Sequence, residues 1–310
     1  MKTYWILAGV GVLAAFGGAG CRRAPAEGSV TASMSHGGLE RTYVYHVPAA
    51  IDPANPPALV IGLHGSGGQG AGQEKLSNLT ALCDTENLIA VYPDGIDRSW
   101  ADGRGTTDAS EKNVDDVGFV SALIDHFISA HGADPKRVMV IGMSNGAMMT
   151  YRIGCELSSK VAVIGPVAGT MPELTSKACA PERRVPAMIF LGTEDTLVPF
   201  EGGELPVGAG GMMLSAAATR ARWAELNGCS PEAKVSAEPD ADPNDETTVR
   251  REEHADCADG TEAVLFAIEG GGHTWPNGWQ YLGEGIVGKT TRDIDATKLL
   301  VDFLKRHPMP

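Results

Sequence analysis

Residues 142–146 read Gly-Met-Ser-Asn-Gly, directly after the apolar run at residues 138–141. The apolar run predicts a buried strand, and residues 147–153 behind the motif predict a helix. In this setting a G-x-S-x-G pattern predicts a tight, strained turn that presents the Ser144 hydroxyl at the edge of a sheet. A side chain at either glycine would collide with the neighbouring strand or helix. The chemistry indicated is nucleophilic attack by a serine oxygen.

A serine nucleophile needs a base, and the base needs an acid that orients it. Two further apolar runs predict strands at residues 186–191 and 263–268. Asp195 follows the first run, and three glycines and then His273 follow the second. Because the carboxyl ends of parallel strands meet at one edge of a sheet, we expect Ser144, Asp195 and His273 to lie together there.

Each of these assignments has an alternative. Glu194 is the other acid at the end of its strand, and a cap or a plain loop position is the other role open to Asp195. Asp115 and Asp116 precede a helix-like pattern, where acids favour the helix dipole, so we expect a structural role for both. Four of the other histidines stand in polar or terminal stretches and are expected to be solvated: His36, His131, His254 and His307.

Acyl transfer also needs N–H donors for the developing oxyanion. One expected donor is the backbone N–H of Asn145, the residue after the nucleophile. The other is expected in the loop at residues 64–68 (His-Gly-Ser-Gly-Gly), which follows a predicted strand at residues 58–63. We expect the backbone of Ser66 to be this second donor. His64 is expected to be a structural residue of the loop and not a second base.

Together these motifs resemble the secreted esterase family of polyhydroxybutyrate depolymerases and feruloyl esterases, which includes lipoproteins. The resemblance extends from about Gly38 to the C-terminus, and its most specific motif is the one around His273. The matching segments are residues 63–68, 91–95, 114–119, 142–146, 192–195 with 198–199, and 270–276.

This resemblance implies a single-domain α/β-hydrolase over residues 38–310, with a mostly parallel central sheet and helices on both faces. It implies an exported serine esterase that works through an acyl-enzyme and needs no metal or organic cofactor. The residues implied are Ser144 as nucleophile, Asp195 as acid, His273 as base, and backbone donors at Ser66 and Asn145.

The chain departs from the family at two positions. Family members often have cysteine in place of Ser66 and glycine in place of Asn277. The first change leaves the backbone donor intact, so catalysis should survive it. The second could alter the rim that meets the substrate.

Five cysteines follow Cys21, and an odd number in an oxidising compartment leaves one free thiol. Cys83 stands in an apolar, helix-like stretch and is expected to be that thiol, buried. Residues 230–254 are rich in Pro, Asp and Glu, and we expect an exposed loop there. The pairs expected are Cys229–Cys257, which the resemblance implies, and Cys155–Cys179.

Residues 1–21 predict a lipoprotein-type signal peptide. Lys2 supplies a positive charge, residues 5–20 are apolar or small, and Gly-Ala-Gly before Cys21 resembles a lipobox whose cysteine is lipidated. Gly18 replaces the usual large aliphatic residue, so plain secretory cleavage is the alternative. Residues 22–37 predict a flexible tether. We therefore expect a periplasmic or cell-surface lipoprotein, or else a fully secreted protein.

The chain has 310 residues, which suffices for one α/β domain with a buried sheet. Its formal net charge of −14 argues against a nucleic-acid partner, which requires a basic face. We expect a monomer that meets a membrane only through a lipid at Cys21.

The sequence leaves the ester open: a polyhydroxyalkanoate, a feruloylated polysaccharide or a small acyl ester. Trp275 and Trp100 are candidates for substrate contact, and packing of the histidine loop is the alternative for Trp275. Two other readings remain: a serine peptidase of the same fold, and a non-catalytic lipoprotein that binds glycan or polymer.

Overall fold

The computed structural model describes residues 26–310. The predicted signal peptide and Cys21 therefore lie outside the described residues. The strands in the described range are β1 (Val30–His36), β2 (Leu39–His46), β3 (Ala58–Leu63), β4 (Leu88–Pro93), β5 (Val138–Met143), β6 (Val163–Val167), β7 (Ala187–Gly192), β8 (Gly203–Glu204), β9 (Met212–Met213), β10 (Lys234–Ala237), β11 (Thr248–His254) and β12 (Ala263–Glu269).

The α-helices alternate with the central strands. They are α1 (Gly70–Ser77), α2 (Cys83–Glu86), α3 (Asp108–Glu111), α4 (Asp116–His131), α5 (Asn145–Glu156), α6 (Glu173–Ala178), α7 (Ala216–Leu226), α8 (Glu284–Val287) and α9 (Ala296–Arg306). Within residues 26–310, none of them combines the length and the apolar character that crossing a bilayer requires.

Ten strands form one sheet in the order β1-β2-β4-β3-β5-β6-β7-β12-β11-β10. The six central strands, from β4 to β12, run parallel to one another. Antiparallel strands extend the sheet on both sides, and β8 and β9 form a separate small hairpin. The predicted α/β-hydrolase fold, with a mostly parallel sheet in a single domain, is confirmed.

The central strands are apolar along their whole length because both faces of the sheet are covered. On β3, Leu59 and Ile61 enter one apolar layer and Val60 enters the other. Helices α4, α5 and α7 contribute side chains to the first layer, and α1 and α9 contribute to the second.

The predicted tether at residues 22–37 is wrong for its second half, because Val30–His36 form the edge strand β1. An edge strand needs few apolar residues, and here Ala32 and Met34 pack against the core while their neighbours are polar. Gly37 and Gly38 both have positive φ, 58° and 77°, which suits the two-residue turn that joins β1 to β2. The folded domain therefore starts before residue 38.

The exposed loop predicted at residues 230–254 is also wrong in part, because the segment contains β10 and β11. Strand β11 pairs with β12, so it extends the sheet despite its many charged residues. Both expected disulfides are present, Cys155–Cys179 and Cys229–Cys257. Cys83 is a buried free thiol as predicted, and burial raises its pKa to about 12.

Candidate active site

The turn between β5 and α5 has the strain that the G-x-S-x-G motif predicts. Ser144 has φ 58° and ψ −121°, outside the regions that side chains with a Cβ prefer. A Cβ added at Gly146 would lie 2.3 Å from the Leu63 carbonyl oxygen of β3, and one at Gly142 would lie 2.4 Å from the Gly146 carbonyl oxygen. Only glycine at both positions lets the turn sit this close to its neighbours. The Ser144 side chain is partly exposed at the carboxyl edge of the sheet.

Asp195 and His273 meet at the same edge. A distance of 2.7 Å joins Asp195 Oδ2 to His273 Nδ1, and both side chains are buried. The second carboxylate oxygen, Oδ1, accepts hydrogen bonds from the backbone N–H groups of Leu197 and Val198, each at 2.8 Å. The carboxylate is thus fixed in orientation, and it leaves His273 Nε2 as the ring nitrogen available for chemistry.

A small apolar cluster joins the loop of Asp195 to the helix that begins beside Ser144. Val198 belongs to it, and so does Met148, which lies one helical turn beyond Ser144. Leu205 and Met213 of the β8–β9 region complete the cluster. Packing of these four side chains holds the loop of Asp195 against the helix that begins after Ser144.

The loop of His273 is held by backbone and side-chain contacts. The His273 N–H donates to the Val287 carbonyl at 2.6 Å, and the Tyr281 hydroxyl donates to the His273 carbonyl at 3.0 Å. Burial raises the pKa of Tyr281, so its hydroxyl keeps the proton it donates. Nothing in the sequence singled out Tyr281, whose partner lies eight residues away and is a backbone atom.

The substrate contact predicted for Trp275 is wrong. Its side chain is 1% exposed, lies in the core layer beneath the loop, and donates from Nε1 to Thr297 Oγ1 at 3.0 Å. Trp275 therefore packs the histidine loop against α9, which is the alternative that the sequence left open.

The two expected oxyanion donors belong to two segments that meet at Ser144: the loop at residues 64–68 and the start of α5. Among the residues the structure describes, the backbone N–H groups of Ser66 and Asn145 have no hydrogen-bond acceptor. The loop at residues 64–68 packs on the elbow, which is the strained turn at residues 142–146, since a Cβ added at Gly65 would lie 3.2 Å from the Ser144 Cβ. Both amides are therefore available to a ligand atom beside Ser144.

His64 is a structural residue of this loop, as expected. Its Nε2 accepts from the Gly95 N–H at 2.9 Å, so its Nδ1 carries the proton and donates to the Gly65 carbonyl at 2.8 Å. The ring is buried, and burial lowers its pKa to about 4. A neutral ring with both nitrogens engaged is not a general base.

The substrate contact predicted for Trp100 is wrong as well. The side chain is fully buried, and Nε1 donates to the His64 carbonyl at 2.8 Å. Its ring packs 4.9 Å from that of His64, measured between centroids. Trp100 thus lies beneath the donor loop, where it cannot stack on a substrate.

Asp115 and Asp116 have structural positions, as expected. Asp115 caps α4 by accepting from the Gly118 N–H, which is the main cause of its lowered pKa. Asp116 is completely buried and accepts from Arg41 Nη2 at 2.6 Å and from the Ala101 N–H at 2.7 Å. Burial raises the pKa of Asp116.

The prediction that His254 is solvated is wrong, because its side chain is buried. His254 ends β11, where its Nδ1 donates to the Ser230 carbonyl at 2.8 Å and its Nε2 accepts from Arg220 Nη1 at 3.1 Å. Burial lowers its pKa. The polar sequence around it gave no sign that the strand is part of the sheet.

Comparison with known proteins identifies the family. The model of the family described as Phospholipase/Carboxylesterase matches residues 46–236, a range that contains the elbow and Asp195. This chain belongs to the phospholipase/carboxylesterase family. It is a carboxylic ester hydrolase of the α/β-hydrolase fold.

Relatives of this esterase share its sequence to different extents. A putative esterase, NocK, from Nocardia uniformis subsp. tsuyamanensis is 30% identical over 91% of this chain and 85% of its own length. Feruloyl esterase B from Piromyces equi is 27% identical over 78% of this chain, which spans 45% of that larger protein. Poly(3-hydroxyalkanoate) depolymerase C from Paucimonas lemoignei is 30% identical over 40% of the chain and 30% of its own length.

A solved structure shares the fold. The acetyl xylan esterase from Aspergillus awamori superposes with a TM-score of 0.59 at 16% identity, over 86% of this chain and 94% of that one.

The state of His64 predicts a pH dependence of stability. A buried histidine whose pKa falls from 6.5 to about 4 binds its proton more readily in the unfolded chain. The contribution of this neutral ring to the free energy of unfolding amounts to about 3 kcal/mol. It is complete above pH 6.5 and is lost as pH falls toward 4. We expect His64→Gln to show a smaller loss of stability than the wild type between pH 7 and pH 4, measured by urea unfolding. Identical pH dependence in the two proteins would contradict the assignment.

Proposed function

We propose that Ser144, Asp195 and His273 form a catalytic triad that hydrolyses carboxylic esters through an acyl-enzyme. The observation that carries this proposal is the Asp195–His273 pair at 2.7 Å, at the same sheet edge as the strained Ser144 turn. Membership of a family of ester hydrolases supports it.

In the proposed reaction His273 Nε2 accepts the Ser144 proton while Oγ attacks the ester carbonyl. Asp195 holds the proton on Nδ1 and stabilises the imidazolium that forms. The Ser66 and Asn145 amides donate to the oxyanion, and each such donor is worth about 2.7–4 kcal/mol in the transition state. The imidazolium then protonates the departing alcohol, and water, activated by the same ring, releases the acid.

The substrates we propose are esters of hydroxyalkanoate or feruloyl type. The names of the relatives from Piromyces equi and Paucimonas lemoignei support these two classes. The β8–β9 hairpin also carries two exposed apolar side chains, Val207 and Met212. They lie within two residues of Leu205 and Met213, which pack with Val198 of the Asp195 loop. Such side chains suit an apolar acyl chain or ring more than a charged one.

Exchange of the acid tests the role of Asp195. In Asp195→Asn the amide oxygen should take the Oδ1 position, because two backbone N–H groups point at it. The NH₂ group would then face His273 Nδ1 and force the ring proton onto Nε2, where it blocks the base. We expect kcat to fall by about four orders of magnitude with the fold intact.

The neighbouring acid provides the control for this exchange. Glu194 is exposed, and we expect Glu194→Gln to keep kcat within about twofold of wild type, since surface changes are usually small. Steady-state kinetics and circular dichroism would be compared for both variants. The reverse result, with Glu194→Gln inactive and Asp195→Asn active, would move the acid role to Glu194.

A substrate panel with Ser144→Ala tests the nucleophile and the substrate class together. The panel contains p-nitrophenyl butyrate, methyl ferulate, a polyhydroxybutyrate suspension and a casein peptide mixture. We expect wild-type cleavage of at least one ester and none by Ser144→Ala, which should remain folded because a hydroxyl adds little packing. Ester cleavage that survives in Ser144→Ala would place the nucleophile elsewhere, and cleavage of the peptides alone would favour a peptidase.

We also propose that the protein is exported and carries a lipid on Cys21. The two disulfides support an oxidising compartment. Mass spectrometry of the mature N-terminal peptide from a bacterial host should find Cys21 as the first residue with a diacylglyceryl mass. An unmodified N-terminus near residue 22 would indicate plain secretion instead.

A further inference from the structure

We propose that Trp100 and the side-chain amide of Asn145 are positioning residues that set the spacing between the two oxyanion donors. The proposal rests on the proposed function, because it concerns the amides of Ser66 and Asn145 in that reaction. Trp100 hydrogen-bonds to the loop that carries one donor and to the residue that carries the other.

The first side of the arrangement is the loop of Ser66. Residues 95–102, which we call the bridging segment, hold this loop by three hydrogen bonds. Two involve His64: the Gly95 N–H donates to its Nε2, and Trp100 Nε1 donates to its carbonyl. The third runs from the Gly67 N–H to the Arg98 carbonyl at 2.8 Å. Ser66 lies between His64 and Gly67, and both of these residues are fixed while the Ser66 N–H keeps no acceptor among the described residues.

The second donor-bearing element is the elbow, which carries Asn145. The Asn145 side chain is 1% exposed and pairs with the backbone of Trp100 at two points. Its Oδ1 accepts from the Trp100 N–H at 2.8 Å, and its Nδ2 donates to the Trp100 carbonyl at 3.2 Å. Nδ2 also donates to Asp102 Oδ2 at 2.6 Å. The side-chain amide is therefore fully engaged, while the backbone N–H of the same residue has no acceptor among the described residues.

The bridging segment is itself fixed by a hydrogen bond to a buried ion pair. The Ala101 N–H donates to the buried carboxylate of Asp116, which is in turn paired with Arg41. A segment tied to a buried ion pair has little freedom to move, so it can fix the two donor-bearing elements relative to each other. Donors of an oxyanion act over a narrow range of about 2.7–3.1 Å, and displacement of about 1 Å is costly to rate.

The chain contains a matched pair of control residues near the amino ends of the parallel strands, away from Ser144. Asn227 is as buried as Asn145 and pairs in the same way with one residue, because its Oδ1 accepts from the Val185 N–H and its Nδ2 donates to the Val185 carbonyl. Trp223 is buried like Trp100 and donates from Nε1 to a carbonyl, also that of Val185, at 2.7 Å. Val185 precedes β7 at its amino end, away from the Ser144 edge.

The test compares Asn145→Ala and Trp100→Phe with Asn227→Ala and Trp223→Phe. Active sites are counted with a fluorophosphonate, so that unfolded protein does not enter the rates. Three quantities are measured: kcat/KM for p-nitrophenyl butyrate, the Ki of an ether isostere of that ester, and the Ki of a trifluoromethyl ketone. The ketone forms a hemiketal with the nucleophile and places an oxyanion between the donors, whereas the ether does not.

We expect kcat/KM of the two site variants to fall by about tenfold or more, with the ketone Ki raised by a comparable factor. The ether Ki should stay within about twofold, because the ground state makes little use of the donors. The two control variants should lower Tm by similar amounts and keep all three quantities within about twofold.

Site variants that behave like the controls would overturn the positioning role while leaving the triad in place. A parallel rise of the ether and ketone Ki values would also overturn it, since that pattern indicates general loss of the binding site. Absence of any Ser144-dependent turnover in the wild type would overturn the proposed function and this inference together.

Discussion

The backbone conformation of Ser144 is the constraint on which the rest of the site depends. A residue with a Cβ at φ 58° and ψ −121° costs on the order of 1–3 kcal/mol, and it persists only where the surroundings enforce it. Here the enforcement comes from fully buried β5 on one side and from α5 on the other, with Gly146 in contact range of the β3 backbone. The strain directs the hydroxyl outwards at the carboxyl edge, and every other element of the site is placed relative to it.

Buried and half-buried carboxylates hold the loops that surround the elbow. These loops have no neighbouring strand to pair with, so their N–H groups need other acceptors. Asp195 accepts two such groups, Asp116 accepts one, and Asp94 accepts the Gly70 N–H and the Thr42 hydroxyl. Each carboxylate therefore ties at least two segments of chain together. This is how irregular loops reach the precision that a triad and an oxyanion site require.

The sequence predicts the central strands and the residues at their ends because strands buried on both faces must be apolar throughout, as β5, β7 and β12 are. It fails at β1, β10 and β11, since strands at or next to the edge of the sheet bury few side chains and resemble polar loops in sequence. It also fails for Trp100 and Trp275, because whether an aromatic ring is buried depends on distant segments that pack over it. Asn277 has a positive φ of 58°, a conformation that asparagine tolerates better than most other side chains.

Burial of both tryptophans has a consequence for substrate choice. With these rings in the core, selectivity must come from side chains that reach the surface around Ser144. The β8–β9 hairpin carries exposed Met212 next to buried Met213, and Met213 packs with Met148 of α5. Met212 thus meets solvent, while Met213 anchors the hairpin to the helix that starts at the elbow. The hairpin is short and separate from the main sheet, so its exposed residues are free to differ without disturbing the strands that position the proposed triad. In this architecture the sheet and its buried loops fix the residues of the proposed triad, and a surface hairpin is free to vary in sequence beside them.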